Sequence, residues 1–213
     1  MLERTVVTSH DHRDPPRRGV SRRSFLHSSA LTTVGATAVA IAGQAQAQNS
    51  DLAASGPGPI PTTLKVNGTD RTIQVEPRMT LAEALRGPLG LTGTKIACDR
   101  GACSACTVWL DSVTISSCMM LAVDVGARSV TTIEGLAHGD VLHPVQAAFI
   151  EHDAMQCGFC TPGMVMSCAA LVDRIPDPTD EDVRAAISGH LCRCGTYPHV
   201  VAATLAASKA QKT

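Results

Sequence analysis

Eight of the nine cysteines in this 213-residue chain fall into two spaced sets of four, and that spacing limits the possible folds more than any other feature. The first set, Cys98, Cys103, Cys106 and Cys118, reads C-x4-C-x2-C-x11-C. Three of its members lie in "CDRGACSAC", and the fourth follows a hairpin-like stretch. Such a loop can wrap thiolates around a compact inorganic core while its N–H groups face the sulfurs. The spacing is that of plant-type [2Fe–2S] ligands. Zinc sites usually carry close pairs at both ends of the set, so a lone Cys118 fits iron–sulfur better than zinc or disulfides.

The second set is Cys157 and Cys160 in "QCGFCTPG", with Cys192 and Cys194 in "GHLCRCGTYP". The first pair reads as closing one helix, and the second as lying between two others. Four sulfurs would meet across one gap, which leaves [2Fe–2S], zinc and two disulfides open on residues alone. A thioredoxin-like dithiol needs a βαβ context, and this region is helical throughout. Cys168, in "VMSCAAL", reads as a buried and inert apolar thiol. With only 2% aromatic residues, any core is modest and gains from a metal staple.

The N-terminus carries Arg22-Arg23 in "SRRSFL", then an uncharged apolar run and an A-x-A pattern at Ala45-Gln46-Ala47. This predicts a secretory signal over residues 1–47, cleaved after Ala47 and too short in its apolar run for a stable membrane span. The paired arginines resemble a twin-arginine signal, which implies periplasmic export of a folded protein. Cleavage leaves 12 Lys and Arg against 16 Asp and Glu, with no basic footprint for nucleic acid. Residues 48–61, rich in Gly, Pro and Ser, read as a flexible leader.

Over 62–137 the pattern predicts a small α+β domain. "TLKVN" and "TIQVE" form a hairpin, "TLAEALRG" a helix capped by Thr80 and Glu83, and "CTVWLDSVTISSC" a second hairpin turning at Asp111-Ser112. "SVTTIEG" (129–135) reads as a final strand. Over 138–213 the period is helical, with four helices beginning near Pro144, Thr161, Thr179 and Tyr197. His138, His143, His152, His190 and His199 read as surface or helix-end residues. No metalloprotease helix, nucleophile elbow, Walker loop or dinucleotide fingerprint is present.

Taken together, "CDRGACSACTVWL", Ser117-Cys118, "HPVQAAFIEHDAMQCGFCTPGMVMS" and "GHLCRCGTYPHVVAA" resemble the iron–sulfur subunit of the xanthine oxidase family of molybdenum hydroxylases. Within that family the chain is similar to the small subunits of periplasmic aldehyde oxidoreductases that carry a twin-arginine signal. The resemblance covers about residues 62–207. It implies a β-grasp ferredoxin-like domain followed by a four-helix domain, each with one [2Fe–2S] cluster on its own cysteine set.

It further implies a large molybdenum-binding subunit that holds a molybdopterin, of the cytosine dinucleotide kind, and oxidises aldehydes. Electrons would pass through both clusters to an FAD subunit or another acceptor. Hydroxylation of N-heterocycles and a stand-alone ferredoxin-like carrier are the alternatives, and a metal-free or zinc structural module is a third. Family position nominates Gln156 for contact with the pterin and Cys194 for the electron path. Relatives often have glycine where Ser104 stands, and Asn-Gly where Asp111-Ser112 turns the second hairpin.

Overall fold

A computed structural model describes residues 57–211. The expected signal over 1–47, and the leader up to residue 56, lie outside the described residues.

The first lobe is a five-stranded sheet in the order β2-β1-β5-β3-β4. Strands β1 (Ile60–Val66) and β2 (Thr69–Val75) are antiparallel around Asn67-Gly68. Both turn residues have positive φ, 49° and 77°, matching the right-handed twist of the strands they join. β1 starts at Ile60, two residues inside the stretch read as leader. Pro61 is accommodated because β1 there pairs only with β2; the parallel neighbour joins it only at Lys65 and Val66.

Helix α1 (Leu81–Arg86) closes over the sheet. Thr80 caps it in a reciprocal box: the Thr80 N–H donates to Glu83 Oε2 at 2.7 Å, and the Glu83 N–H to Thr80 Oγ1 at 3.2 Å. Its Leu81 and Leu85 join Leu64, Val75, Val108 and Val130 in the core of this lobe.

Strands β3 (Thr107–Leu110) and β4 (Val113–Ser116) turn at Asp111-Ser112, again with both φ angles positive. The Asp111 carboxylate accepts the Ser129 N–H at 2.8 Å, a bond that Asn-Gly would not supply in charged form. β5 (Ser129–Thr131) is shorter than expected. The Asn67 side-chain oxygen captures the Thr132 N–H at 2.9 Å, and the chain then turns through Ile133–Gly135 as a 3-10 segment.

The second lobe contains α2 (Pro144–Glu151), α3 (Thr161–Arg174), α4 (Asp180–Ala186) and α5 (Tyr197–Ala210). Pro stands in the first turn of α2, α3 and α5, where its missing N–H is not needed. Phe149, Met164, Met166, Val172, Val183 and Val200 form the centre of this core. Phe149 alone, fully buried, contributes about 2–3 kcal/mol. The two lobes meet where β3 lies against α3. The fold is therefore α+β, a β-grasp lobe followed by four helices.

Candidate metal centres

Each cysteine set is assembled by backbone features written locally in the chain. Between α1 and β3, the cysteine loop Cys98–Cys106 contains three left-handed residues, Asp99, Gly101 and Ser104, with φ of 52°, 70° and 57°. This tight coiling turns N–H groups inward. Gly101 donates its N–H to Cys118 Sγ at 3.3 Å, and Ala102 to Cys98 Sγ at 3.2 Å. Cys118 arrives by the hairpin. Thr107 pairs with Ser116, so the next residues out, Cys106 and Ser117, face each other. The Ser117 hydroxyl donates to the Cys106 carbonyl at 2.7 Å, and Cys118 follows directly.

Charge on these sulfurs follows their surroundings. The Arg100 N–H, with help from the Cys103 thiol, lowers the Cys98 thiol to about 7. Burial, with the Cys106 thiol beside it, pushes Cys118 up to about 11. Cys106 and Cys118 form an inner, buried pair against Ala82 and Ile96.

The second set lies on two loops. α2 stops at Glu151, with His152 as its cap, and Asp153 turns the chain at φ 48°. Cys157 and Cys160 therefore do not close this helix, as the sequence pattern suggested. They occupy the loop beyond it, Gly158 turns between them at φ 77°, and Cys160 is the residue that caps α3. A 14-residue helix presents its positive end there, which favours thiolate.

On the facing loop, the Cys192 N–H donates to the Tyr197 hydroxyl at 2.8 Å, and that hydroxyl donates to the His190 carbonyl at 2.9 Å. The tyrosine thus clamps the C-x-C loop. At Cys160, burial, with the Cys192 thiol beside it, outweighs the helix end and pushes the thiol up to about 12. Burial also acts upward on Cys192, but the Thr196 hydroxyl and N–H outweigh it and leave that thiol at about 7. The Phe159 N–H, then the Cys194 thiol, lower Cys157.

The sulfurs meet in twos: Cys98 with Cys103, Cys106 with Cys118, Cys157 with Cys194, and Cys160 with Cys192. All nine thiols are free. Among the described residues no three ligating side chains close around a single ion. Facing pairs, with inward N–H groups on the sulfurs, fit a binuclear iron–sulfur cluster, in which each iron takes two thiolates.

Two hydrogen bonds join the sets. The Leu191 N–H donates to the Cys103 carbonyl at 3.2 Å, and the Ser104 hydroxyl donates to the Gly189 carbonyl at 3.1 Å. Sequence reading missed both, as it did Tyr197 and Ser117, since these contacts depend on tertiary pairing. The left-handed backbone at Ser104 carries a strain of about 1 kcal/mol relative to glycine.

Gln156 is exposed and makes no hydrogen bond within the described residues, so it caps no neighbouring carbonyl. Cys168 is fully buried, its thiol pushed to about 12 by that burial. His190 corrects an expectation: it is only 4% exposed, its Nε2 2.8 Å from the Ser167 hydroxyl. Its burial drives the imidazole down to about 4, toward the neutral form. His143 is a helix-end residue, as expected, the partly buried cap of α2. No described helix is long and apolar enough to cross a membrane.

Comparison with known proteins gives two family matches: a 2Fe-2S iron-sulfur cluster binding domain over residues 64–129, and a [2Fe-2S] binding domain over 132–205. The chain is 40% identical to the aldehyde oxidoreductase iron-sulfur-binding subunit PaoA of Escherichia coli, over 89% of both chains. It is 46% identical to the nicotine 6-hydroxylase small subunit of Paenarthrobacter nicotinovorans, over 67% of this chain and 86% of that one. A crystal structure of quinoline 2-oxidoreductase from Pseudomonas putida 86 superposes with a TM-score of 0.70. That match has 41% identity and covers 73% of this chain and 97% of that chain.

Proposed function

We propose, on the premise that this chain belongs to the iron–sulfur small subunits of the xanthine oxidase family, that it carries electrons from a large molybdenum-binding subunit of an exported aldehyde-oxidising complex. Electron transfer is this family's role for such a subunit. Cys98, Cys103, Cys106 and Cys118 are the ligands assigned to the cluster of the β-grasp lobe, and Cys157, Cys160, Cys192 and Cys194 to that of the helical lobe. Bound there, each [2Fe–2S] cluster supplies one-electron redox chemistry.

The observation that carries this reading is the Leu191 N–H···O=C Cys103 bond of 3.2 Å. Cys103 belongs to one set, and Leu191 directly precedes Cys192 of the other. One hydrogen bond thus completes an otherwise covalent path between the two ligand shells. The inward N–H groups of Gly101 and Ala102 favour charge on Cys118 and Cys98. Buried Cys106 and Cys118 keep water from their side of the first site.

The partner face lies at the second set. Exposed Leu142, Ile150, Met155 and Phe159 surround the Cys157 loop, and an apolar groove of about 260 Å³ runs between α2 and the start of α3. A soluble chain gains by covering such a patch, and the large subunit is the proposed cover. Gln156, with its amide free, is assigned to an edge of the partner's molybdopterin (of the cytosine dinucleotide kind), because an amide both donates and accepts. An FAD subunit, or another acceptor, is assigned to the first set.

Aldehydes are preferred as substrate class over N-heterocycles because the PaoA match covers 89% of the chain, so it extends into the N-terminal stretch before residue 57. That stretch carries Arg22-Arg23, the basis for proposing twin-arginine export to the periplasm.

Low-temperature EPR with iron counting on the dithionite-reduced complex tests the assignment. Two distinguishable [2Fe–2S] signals and about four irons per chain are expected. One signal, or stoichiometric zinc, would overturn it. Turnover of N-heterocycles but not aldehydes by the same complex would reverse the substrate class. Undiminished export after Arg22-Arg23→Lys-Lys would reject the export route.

A further inference from the structure

Ser104 occupies a backbone position that glycine would adopt without strain, at φ 57°. A serine kept there for no purpose would leave its hydroxyl in solvent or bond it to its own turn. Here the turn's bonds come from Thr107 instead, whose hydroxyl and N–H both donate to the Ser104 carbonyl, at 2.7 and 3.3 Å. The Ser104 hydroxyl is left to reach a residue 85 positions away, the carbonyl of Gly189.

We infer that Ser104 is a positioning residue for electron transfer between the two thiol sets, its hydroxyl clasping the loop of one to the loop of the other; this rests on the two-cluster reading above. Consecutive residues, Cys103 and Ser104, make parallel bonds to Leu191 and Gly189. The Leu191 side chain is 62% exposed and Gly189 is also exposed, so their loop is held at its centre, by buried His190 and the Tyr197 hydroxyl on the His190 carbonyl, and not at these two positions. Beside the clasp lies a polar cavity of about 160 Å³, lined by Ser104, Thr107, Ser116, Ser167, Gly189 and His190.

That cavity has room and partners for water. With the clasp released, the main chain at Gly189 and Leu191 can pivot about anchored His190, and water can insert between the Leu191 N–H and the Cys103 carbonyl. The single short bond in the electron path then becomes a longer, water-bridged one. Local strain at Ser104 is therefore the cost of a lock on that bond.

The test uses the holo-complex with Ser104→Ala, Ser104→Gly and Ser104→Asn. Hydrogen exchange is read on the peptide containing Leu191, and the spin–spin splitting between the two cluster signals by EPR. With Ala and with Gly, exchange at Leu191 is expected to quicken several-fold and the splitting to shrink, while amides of the Ile60–Val75 hairpin keep their wild-type rates. Asn tolerates left-handed backbone and can donate, so it is expected to restore both readouts.

Wild-type exchange and splitting in Ser104→Gly would overturn the inference, leaving serine as tolerated strain. A uniform rise in exchange across all peptides would overturn it too, by making the effect one of global stability. A wild-type complex without two cluster signals would sink the two-cluster reading, while the exchange data would still decide whether the clasp exists.

Discussion

The indole N–H of Trp109 donates to the main-chain carbonyl of Met166 over 2.8 Å, bonding β3 of the sheet to α3 of the helical lobe. Trp109 is the chain's sole tryptophan. Trp109→Phe keeps an aromatic ring between the lobes and removes this bond. A loss of about 1 kcal/mol is expected, read from the denaturant midpoint. An unchanged midpoint would mean that ring packing alone joins the lobes.

Gly163 in the first turn of α3 allows a second close contact. A β-carbon there would come 2.3 Å from the Ser104 carbonyl oxygen and 3.2 Å from Ala105 Cα, both main-chain atoms that cannot swing aside. Gly163→Ala should push the start of α3, and Cys160 with it, off the Cys103–Cys106 loop. Overpacking of this kind costs about 1–3 kcal/mol. A lower melting temperature with reduced iron content is expected. Wild-type values for both would mean that the loop gives way freely.

Cys168 separates structural from ligating cysteines. It lies fully buried in α3 with its side chain near Thr204, away from both thiol sets. Cys168→Ala should keep about four irons per chain and both EPR signals, at a cost of about 1 kcal/mol for the small void. Cys118→Ala should remove one signal and Cys194→Ala the other, each with about half the iron. Loss of a signal from Cys168→Ala would require a different ligand set.

The sequence made legible what depends on local spacing. Cysteine intervals marked two metal sites, and the helices at Thr161–Arg174 and Tyr197–Ala210 follow from an early proline and an unbroken apolar period. The end of α2 was misplaced because Ala154 and Met155 prolong the apolar pattern. A left-handed Asp153 had already ended the helix, and nothing local announces that. His190 looked like a surface residue because its partner, Ser167, is 23 positions away. The links between the sets, Leu191 to Cys103 and Ser104 to Gly189, exist only once the two lobes dock.

His143 gives the fold a pH dependence that can be isolated. Its Nδ1 accepts the Val145 N–H at 3.2 Å as the cap of α2, which requires an unprotonated Nδ1. Burial lowers its pKa from the ordinary 6.5; the Asp173 carboxylate, 4.0 Å from Nε2, opposes that shift, and His138 adds to it. A histidine depressed in the folded state stabilises the fold fully above its unfolded pKa. As pH falls through 6.5 toward the lower folded value, the unfolded chain takes up the proton first and that stability is lost. His143→Asn keeps a capping acceptor without the titration. Between about pH 7.5 and 5.5, spanning the histidine reference pKa, the melting temperature of the wild type should therefore fall further than that of His143→Asn. Equal falls would mean that the folded imidazole takes up its proton at the same pH as in the unfolded chain, so that its cap contributes no pH dependence.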